Sequence, residues 1–533
     1  MGIAAVLALV VATGLLLGCG GDGDEPDPPF ADAPTGIVPN PKRIADERPN
    51  VIVIVTDDET AAEASPKLMP NTWKLLGKRG VRFSNFVISS PLCCPSRAIH
   101  LTGNYGHNNG VLSNEPGYAR LRDKGNVLPA WLQAAGYRTS HVGKFLNGYR
   151  NFQKRPAAVA PGWDDWYTLI SDHYREYNIS INGKRVERQK HDDRYSTDEL
   201  TDAAVSLIED YSDDPEPFYL HLDQIAPHSD AKSKQPCENT ALPRSDDIGS
   251  LGSVALPRTP SFNERAIADK PSFIARQPRL SKTAIAEIDN RYHCRIESLQ
   301  AVDRGVAKIV RTLRQTKQKS RTVILFYSDN GFFLGEHRIA KSKGLPYEES
   351  IQVPLFAYLP KSLRQAAAPP VLDDATASID LAPTILDLAN AKPCTGARAR
   401  GGECRRLDGR SLLPLLDGRG DWPSDRTILL ELSQRNGLAG GSVACDYHGI
   451  RTADGQVFFT YTRIPTRDGE RCRPASEIEH YDLNRDPYEL HDLAADGRLS
   501  APERQMAATA RRLQDCSGIA GREPPLSGRP FCE

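Results

Sequence analysis

The chain has 533 residues, with 67 Lys+Arg against 68 Asp+Glu and a formal net charge of −1. Charged residues make up 25% and the hydrophobic set 39%, which is the balance of a globular chain and excludes a purely disordered one. A single long apolar run excludes a polytopic membrane protein, and a charge near zero excludes a general nucleic-acid binder, which needs a basic surplus.

That run spans Ile3 to Gly18, shorter than the roughly 20 residues that cross a bilayer. It closes on Leu16-Leu17-Gly18-Cys19 and resembles a bacterial lipobox. The resemblance implies a signal peptide over 1–19 and an exported protein on the cell envelope, periplasmic or at the surface, held to the membrane only by lipid on Cys19. Residues 20–48, rich in Gly, Asp and Pro, read as a flexible tether. Val51–Val55 is an uninterrupted β-branched run, the pattern of a strand buried on both faces, and it ends at Thr56-Asp57-Asp58. A helix is expected over 71–78 with Gly80 as its stop. Val127–Ala135 reads as a helix ended by Gly136, followed by a strand near Thr139–Val142 and the segment Gly143-Lys144-Phe145-Leu146-Asn147. Phe218–Gln224 reads as a strand of mixed polarity, before Ala226-Pro227-His228-Ser229. Residues 229–280 are polar, Pro-rich and aperiodic, the texture of a long functional or disordered loop.

From Ile285 to Leu313 apolar residues recur at helical spacing: Ile285, Ile288, Tyr292, Ile296, Leu299, Val302, Val306, Ile309 and Leu313. Val323–Tyr327 repeats the buried-strand pattern and ends at Ser328-Asp329-Asn330. Strands alternating with helices predict an α/β fold, a sandwich with a largely parallel central sheet flanked by helices, whose ligands bind beyond the carboxyl ends of the strands. Beyond about 425 the texture changes to short strand-like pieces such as Gln456–Thr462, with a last helix near Ala501–Leu513. The expected division is a catalytic domain over 49–425 and a smaller α+β subdomain over 426–533. Apart from Cys19, Cys93 and Cys94, eight cysteines remain. An even number in an exported chain points to four disulfides. Chain order favours 237–294, 394–404, 445–472 and 516–532 without deciding them, and no CxxC pair supports zinc instead.

The chemistry is concentrated in Cys93-Cys94-Pro95-Ser96-Arg97, followed by Leu101-Thr102-Gly103. Pro95 suits a first helical turn, so Ser96–Thr102 is expected to be helical with residue 93 at its positive end. Asp57-Asp58 and Asp329-Asn330 offer three carboxylates and one carbonyl oxygen, a hard set suited to Ca²⁺ or Mg²⁺ rather than zinc. Each feature alone has a plainer reading: a buried cysteine pair, turn-capping Asp and Asn, surface lysines, a loop histidine.

Together they resemble the type I, formylglycine-dependent sulfatases of the alkaline-phosphatase-like superfamily. The motif wording is nearest to N-acetylglucosamine-6-sulfatase and arylsulfatase-like members. The resemblance runs over most of residues 49–493 and includes Ile379–Thr384, Leu407–Leu412 and Tyr481–Glu489 as structural segments. It implies hydrolysis of a sulfate monoester, on a sugar or an aryl group, to an alcohol and inorganic sulfate. It implies that a formylglycine-generating enzyme oxidises Cys93, whose hydrate attacks sulfur, and that Asp57, Asp58, Asp329, Asn330 and residue 93 bind one divalent ion, usually calcium. Arg97 would hold the hydrate, Lys144 and Lys343 would neutralise sulfate oxygens, and His228 would protonate the leaving alkoxide. His337, in Gly335-Glu336-His337, and Asn147 are candidate substrate contacts, whereas His100 and His107 read as structural. Leu146 stands where many arylsulfatases have a histidine, and Asn109 where relatives often have another. The substrate would be a sulfated small molecule or glycan. The rival readings are a phosphonate or phosphodiester hydrolase of the same superfamily and a non-catalytic lipoprotein that binds sulfated glycans.

Overall fold

The computed structural model describes residues 46–152, 157–188, 194–364, 369–395, 404–418, 422–434, 444–469 and 471–533. The signal peptide, Cys19 and the tether up to residue 45 lie outside the described residues. Residues 46–48, which composition assigns to the tether, are fixed instead. Arg48 pairs with Asp46 and donates to the Ala135 carbonyl at 2.8 Å.

Among the described residues the strands are, in chain order, β1 (Asn50–Thr56), β2 (Val81–Phe83), β3 (Phe86–Val87), β4 (Arg138–Gly143), β5 (Asp165–Leu169), β6 (Asn178–Ile181), β7 (Lys184–Glu187), β8 (Phe218–Asp223), β9 (Thr322–Ser328), β10 (Leu355–Tyr358), β11 (Val371–Leu372), β12 (Thr376–Ala377), β13 (Thr427–Ser433), β14 (Asp446–Thr452), β15 (Gln456–Pro465) and β16 (Cys472–Asp482). The central sheet runs β11-β2-β10-β9-β1-β8-β4-β5-β6-β7. Its middle strands, β9-β1-β8-β4-β5, are parallel, as expected. Strand β10 and the β6–β7 hairpin join antiparallel at the flanks. β3 and β12 form a small parallel pair, and β13–β16 form the antiparallel sheet of the smaller C-terminal subdomain.

The unbroken apolar runs follow from this placement. In β1, Val51, Val53 and Val55 enter one core, while Ile52 and Ile54 enter the core on the other face. In β9, Val323, Leu325 and Tyr327 face the first, and Ile324 and Phe326 the second. Each such side chain contributes about 2 kcal/mol of apolar burial. The first face is covered by the helices Cys93–Thr102, Leu128–Ala134 and Leu381–Leu388, the second by Ser196–Asp210 and Lys282–Gln315. The long helix starts at Ser281, whose hydroxyl accepts from the Ala284 N–H, and buries eight of its nine expected apolar positions, with Ile285 only partly covered. β13–β16 share a third core with Leu92, Ile99 and Tyr105, so this sheet packs on the helix that carries Cys93.

The segment expected to be a helix over 71–78 is a short α turn, Pro70–Thr72, running into a π-helical turn, Trp73–Gly77. Gly80 is required there by crowding rather than as a left-handed stop. A Cβ on it would lie 2.3 Å from the Ala357 carbonyl oxygen of β10. The disulfides pair 237–294, 394–404, 445–472 and 516–532, the pairing that chain order favours, and leave Cys93 and Cys94 as the free cysteines among the described residues. No described helix is long and apolar enough to cross a membrane.

His107 follows the Cys93 helix and is largely buried against β13, with Nδ1 3.0 Å from Glu431 Oε1 and Nε2 3.1 Å from the Cys516 carbonyl oxygen. Burial opposes the charged form, but Glu431 outweighs it and raises His107 to about 9. A raised histidine stabilises the fold fully below its unfolded pKa of about 6.5 and loses that contribution as pH rises through about 9. The unfolding free energy from urea titration is expected to fall between pH 6.5 and 9 by on the order of 3 kcal/mol more in wild type than in His107→Gln. Equal pH dependence in both proteins contradicts the charged pair.

Candidate active site

Four adjacent parallel strands deliver charged residues to one rim. β1 and β9 pair with Thr56 opposite Ser328, so Asp57 and Asp329 follow at the same level. On the other side of β1, Val55 pairs with Asp223 of β8, and Asp223 pairs with Gly143 of β4, which precedes Lys144. Gly143 is at φ +112° and a Cβ there would lie 1.9 Å from the Asp223 carbonyl oxygen, so only glycine lets β4 come this close. The Lys144 N–H then donates to that oxygen at 3.0 Å, and its Nζ reaches Asp57 Oδ2 at 2.5 Å.

Residue 93 arrives on a fully buried helix, Cys93–Thr102, that ends on Gly103 at φ +60°. The helix begins at Cys93 itself, not at Ser96, so Pro95 is its third residue. Leu92 supplies no side-chain cap; Asn114 Oδ1 accepts from the Cys94 N–H at 2.9 Å instead. The two neighbouring cysteines diverge. Cys94 packs in the first apolar core, whereas Cys93 Sγ lies 3.4 Å from Asp57 Oδ1 and 2.8 Å from Lys343 Nζ. Burial, reinforced by Asp57, pushes the Cys93 thiol far above its ordinary range, so the unmodified side chain is a poor nucleophile.

Asp57, Asp58 and Asp329 each present a carboxylate oxygen within 4.8 Å of the others. Asn330 Nδ2 donates to Asp58 Oδ1 at 2.6 Å, and its Oδ1 is buried without a hydrogen-bond partner. Lys343 Nζ pairs with Asp58 and stands 3.8 Å from Asp57. Despite burial, Lys144, His228, Lys343 and Arg97 hold Asp57 well below the usual carboxylate range. Burial and the charge of Asp57 raise Asp329 to about 7. Three crowded acids and an orphaned amide oxygen are a donor set that fits a hard divalent cation. Arg97 holds these acids in place. Its Nε lies 2.9 Å from Asp329 Oδ2, Nη2 3.2 Å from Asp57 Oδ2, and Nη1 2.5 Å from Asp223 Oδ1 and 3.1 Å from the Lys144 carbonyl oxygen. With its three nitrogens engaged this way, Arg97 positions the acids.

His228 is the most open member, with 27% of its side chain exposed, while the acids, Cys93, Arg97, Lys144 and Lys343 are at most 3% exposed. Its Nδ1 is 2.7 Å from the Ser229 carbonyl oxygen and its Nε2 3.9 Å from Asp58 Oδ2. Burial and Lys144 lower its pKa. Two sequence candidates stand apart from this cluster. Asn147 lines a small neighbouring cleft with Phe145, Trp166, Thr168 and Asp172, and its backbone oxygen accepts from the Tyr118 N–H at 2.8 Å. His337 is fully buried, with Nδ1 2.8 Å from Glu264 and its ring stacked on Tyr347, so it has no surface to offer a substrate.

Sequence reasoning missed Asp223 and Arg295. Asp223 ends a third parallel strand, a signal available from the mixed-polarity run. Arg295 donates to the Asp58 carbonyl at 2.5 Å and pairs with Glu63 at 2.7 Å, from a position on the helix's apolar stripe, seven residues after Ile288 and four before Leu299, where a charged residue is itself the signal.

The sulfatase family profile matches residues 49–391. The chain is 31% identical over 515 residues to N-acetylglucosamine-6-sulfatase of Capra hircus, covering 90% of this chain and 85% of the relative. It is 28% identical to an extracellular sulfatase homologue of Drosophila melanogaster over 74% of this chain and 34% of that protein. A solved structure in complex with its substrate, D-glucosamine-2-N,6-O-disulfate, superposes with a TM-score of 0.67 at 22% identity, covering 88% of this chain and 97% of that one.

Replacing the Arg97 fork with a single ammonium strands buried carboxylates. Arg97→Lys is expected to cost roughly 3 kcal/mol or more in thermal or denaturant unfolding. Wild-type stability would show that the three acids do not depend on it.

Proposed function

The chain belongs to the sulfatase family and is a sulfuric ester hydrolase; on that premise we propose that it removes sulfate from a sugar, with N-acetylglucosamine 6-sulfate as the substrate class, using residue 93 as formylglycine and a calcium ion. The observation that carries the site assignment is Cys93 between Asp57 and Lys343 at the first turn of a buried helix. The relative named N-acetylglucosamine-6-sulfatase supports the sugar, as does the glucosamine disulfate bound in the structural neighbour. Aryl sulfates are the second substrate class and serve as test substrates.

Asp57, Asp58, Asp329 and the Asn330 side-chain oxygen would hold the ion, which supplies Lewis acidity to the attacking and transferring oxygens. As formylglycine, residue 93 would supply a hydrated aldehyde, one hydroxyl serving as nucleophile toward sulfur as the S–O bond to the leaving alkoxide breaks, and the other expelling sulfate to restore the aldehyde. The chain's own groups do the rest. Lys343 and Lys144 flank residue 93 and provide fixed positive charge for the non-bridging sulfate oxygens. His228 stands at the open side with Nδ1 donating to a carbonyl oxygen, so Nε2 faces the site, and it would pass a proton to the leaving alkoxide once the ring has taken one up from solvent. Asn147, on the adjoining cleft, is placed for a hydroxyl or amide of the sugar.

The same reading extends to the compartment. The apolar run before Cys19 and four disulfides support export and a lipid anchor on the bacterial envelope.

In protein expressed with its modifying enzyme, mass spectrometry of the peptide spanning residues 93–97 is expected to show formylglycine. Cys93→Ala should abolish turnover without loss of fold. An unmodified cysteine, or activity near wild type in Cys93→Ala, overturns the nucleophile assignment. Turnover of N-acetylglucosamine 6-sulfate is expected to exceed that of nitrophenyl phosphate by orders of magnitude, and the reverse order points to the phosphoester branch. Asp329→Ala should weaken calcium binding by about tenfold or more in calorimetric titration. Unchanged binding removes Asp329 from the ligand set.

A further inference from the structure

Two motifs that the reaction does not use, Gly335-Glu336-His337 and Asp486-Pro487-Tyr488-Glu489, meet beside Glu349. His337 and Glu489 are both 0% exposed. Each of the three side chains is anchored through one atom. His337 Nδ1 lies 2.8 Å from Glu264 Oε2. Glu349 Oε1 accepts from the Ser261 hydroxyl at 2.9 Å. Glu489 Oε2 accepts from the Glu348 N–H at 2.9 Å. The opposite atoms, His337 Nε2, Glu349 Oε2 and Glu489 Oε1, are buried and make no hydrogen bond. Nε2 stands 3.7 Å from Glu349 Oε2, and the three residues each present a ligand atom within 4.8 Å of the others.

Buried acceptors left without donors are costly, at roughly 1–3 kcal/mol each and more for charged groups. The nearby cations do not relieve them, because Lys270 lies against Glu264 and Asp269, and Arg451 against Glu348. Despite burial, the carboxylates around His337 raise it to about 10, so a metal at Nε2 must displace a proton there, and the carboxylate of Glu264 on Nδ1 would keep the ring's other proton in place. That outer contact is characteristic of a metal-ligating histidine.

We propose that His337, Glu349 and Glu489 form a second divalent-metal site, distinct from the Asp57–Asp58–Asp329 cage. One imidazole nitrogen with two carboxylates suits a first-row transition ion such as Zn²⁺ or Mn²⁺, in contrast to the all-oxygen calcium set. The ion clamps three segments: the His337 loop, the helix Glu348–Ile351 just after the Lys343 loop, and the turn after β16. It thereby ties the C-terminal sheet to the loop that delivers Lys343. The competing occupant is a proton on Nε2, which would pair His337 with Glu349 and need no metal.

The test uses the full chain without an affinity tag, stripped with chelator, refilled with Ca²⁺ and equilibrated with micromolar Zn²⁺ or Mn²⁺. Elemental analysis after dialysis is expected to find one transition-metal equivalent beyond calcium in wild type and in Asp329→Ala. His337→Gln and Glu489→Gln should hold it at least about tenfold more weakly while keeping calcium, which also reports that they are folded. Should those variants fail to fold, X-ray absorption at the zinc edge of the wild-type protein decides, with a shell of one nitrogen and carboxylate oxygens expected. Retention of neither Zn²⁺ nor Mn²⁺ by wild type overturns the site. So does equal retention in folded His337→Gln and Glu489→Gln, or a shell containing sulfur.

Discussion

Arg97 carries carboxylates from three neighbouring strands on one guanidinium: Asp329 after β9, Asp57 after β1 and Asp223 at the end of β8. Parallel strands at about 4.8 Å spacing make that crowding unavoidable once each ends in an acid. At that separation in a buried site, acid–acid repulsion outweighs any surface ion pair, so a fixed cation must sit among them. A planar fork meets three directions at once, and a lysine meets one. Counting Asp58 with these acids, four carboxylates face Arg97, Lys144 and Lys343 and leave one negative charge when all are ionised, Asp329, raised to about 7, being the one that takes up a proton first. A divalent ion would convert that to one positive charge, the sign needed to draw in an ester carrying a single negative sulfate. On the proposed reading, the arginine of the signature motif is chiefly scaffold, and the two lysines with the ion would provide the anion-binding character.

The extent to which this site is legible in the sequence follows from what a linear pattern records. β1 and β9 are readable because burial on both faces leaves an unbroken apolar run, and the acids directly after them are conspicuous. Their register is not readable: nothing in either strand states that Thr56 will face Ser328. Asp223 escapes because His221 and Asp223 make β8 look half exposed, although every residue in it is buried. Arg295 escapes because a list of apolar positions passes over a charge, although it lies on the same stripe as Ile288, Tyr292 and Leu299 and is 1% exposed. Gly80 and Gly143 look like ordinary stops, and only the packed neighbours show that they admit a backbone at distances that a Cβ would forbid. Motif alone draws His337 toward the substrate, and motif carries no direction for a side chain that proves fully buried.

The aperiodic stretch 229–280 gains its meaning from what it touches. Cys237 binds it to the long helix through Cys294, a 57-residue separation worth on the order of 4 kcal/mol in loop entropy. Farther along, Ser261 reaches Glu349, Glu264 reaches His337, and Phe262 fills the space that only Gly335 leaves open. A loop whose own secondary structure is one 3-10 turn, Ser245–Asp247, and one helical turn, Ser272–Ala275, is thus ordered by polar contacts to the segment between Asp329 and Glu349. That segment carries Lys343 to Cys93 at one end and Glu349 to the buried histidine at the other. Lys343 must hold a fixed position against two acids and a sulfur within a buried site, and a lysine side chain has about 2 kcal/mol of rotamer entropy opposing that. The restraint therefore has to come from backbone fixed on both sides of it, and the loop, His337 and the C-terminal turn are the groups positioned to supply it.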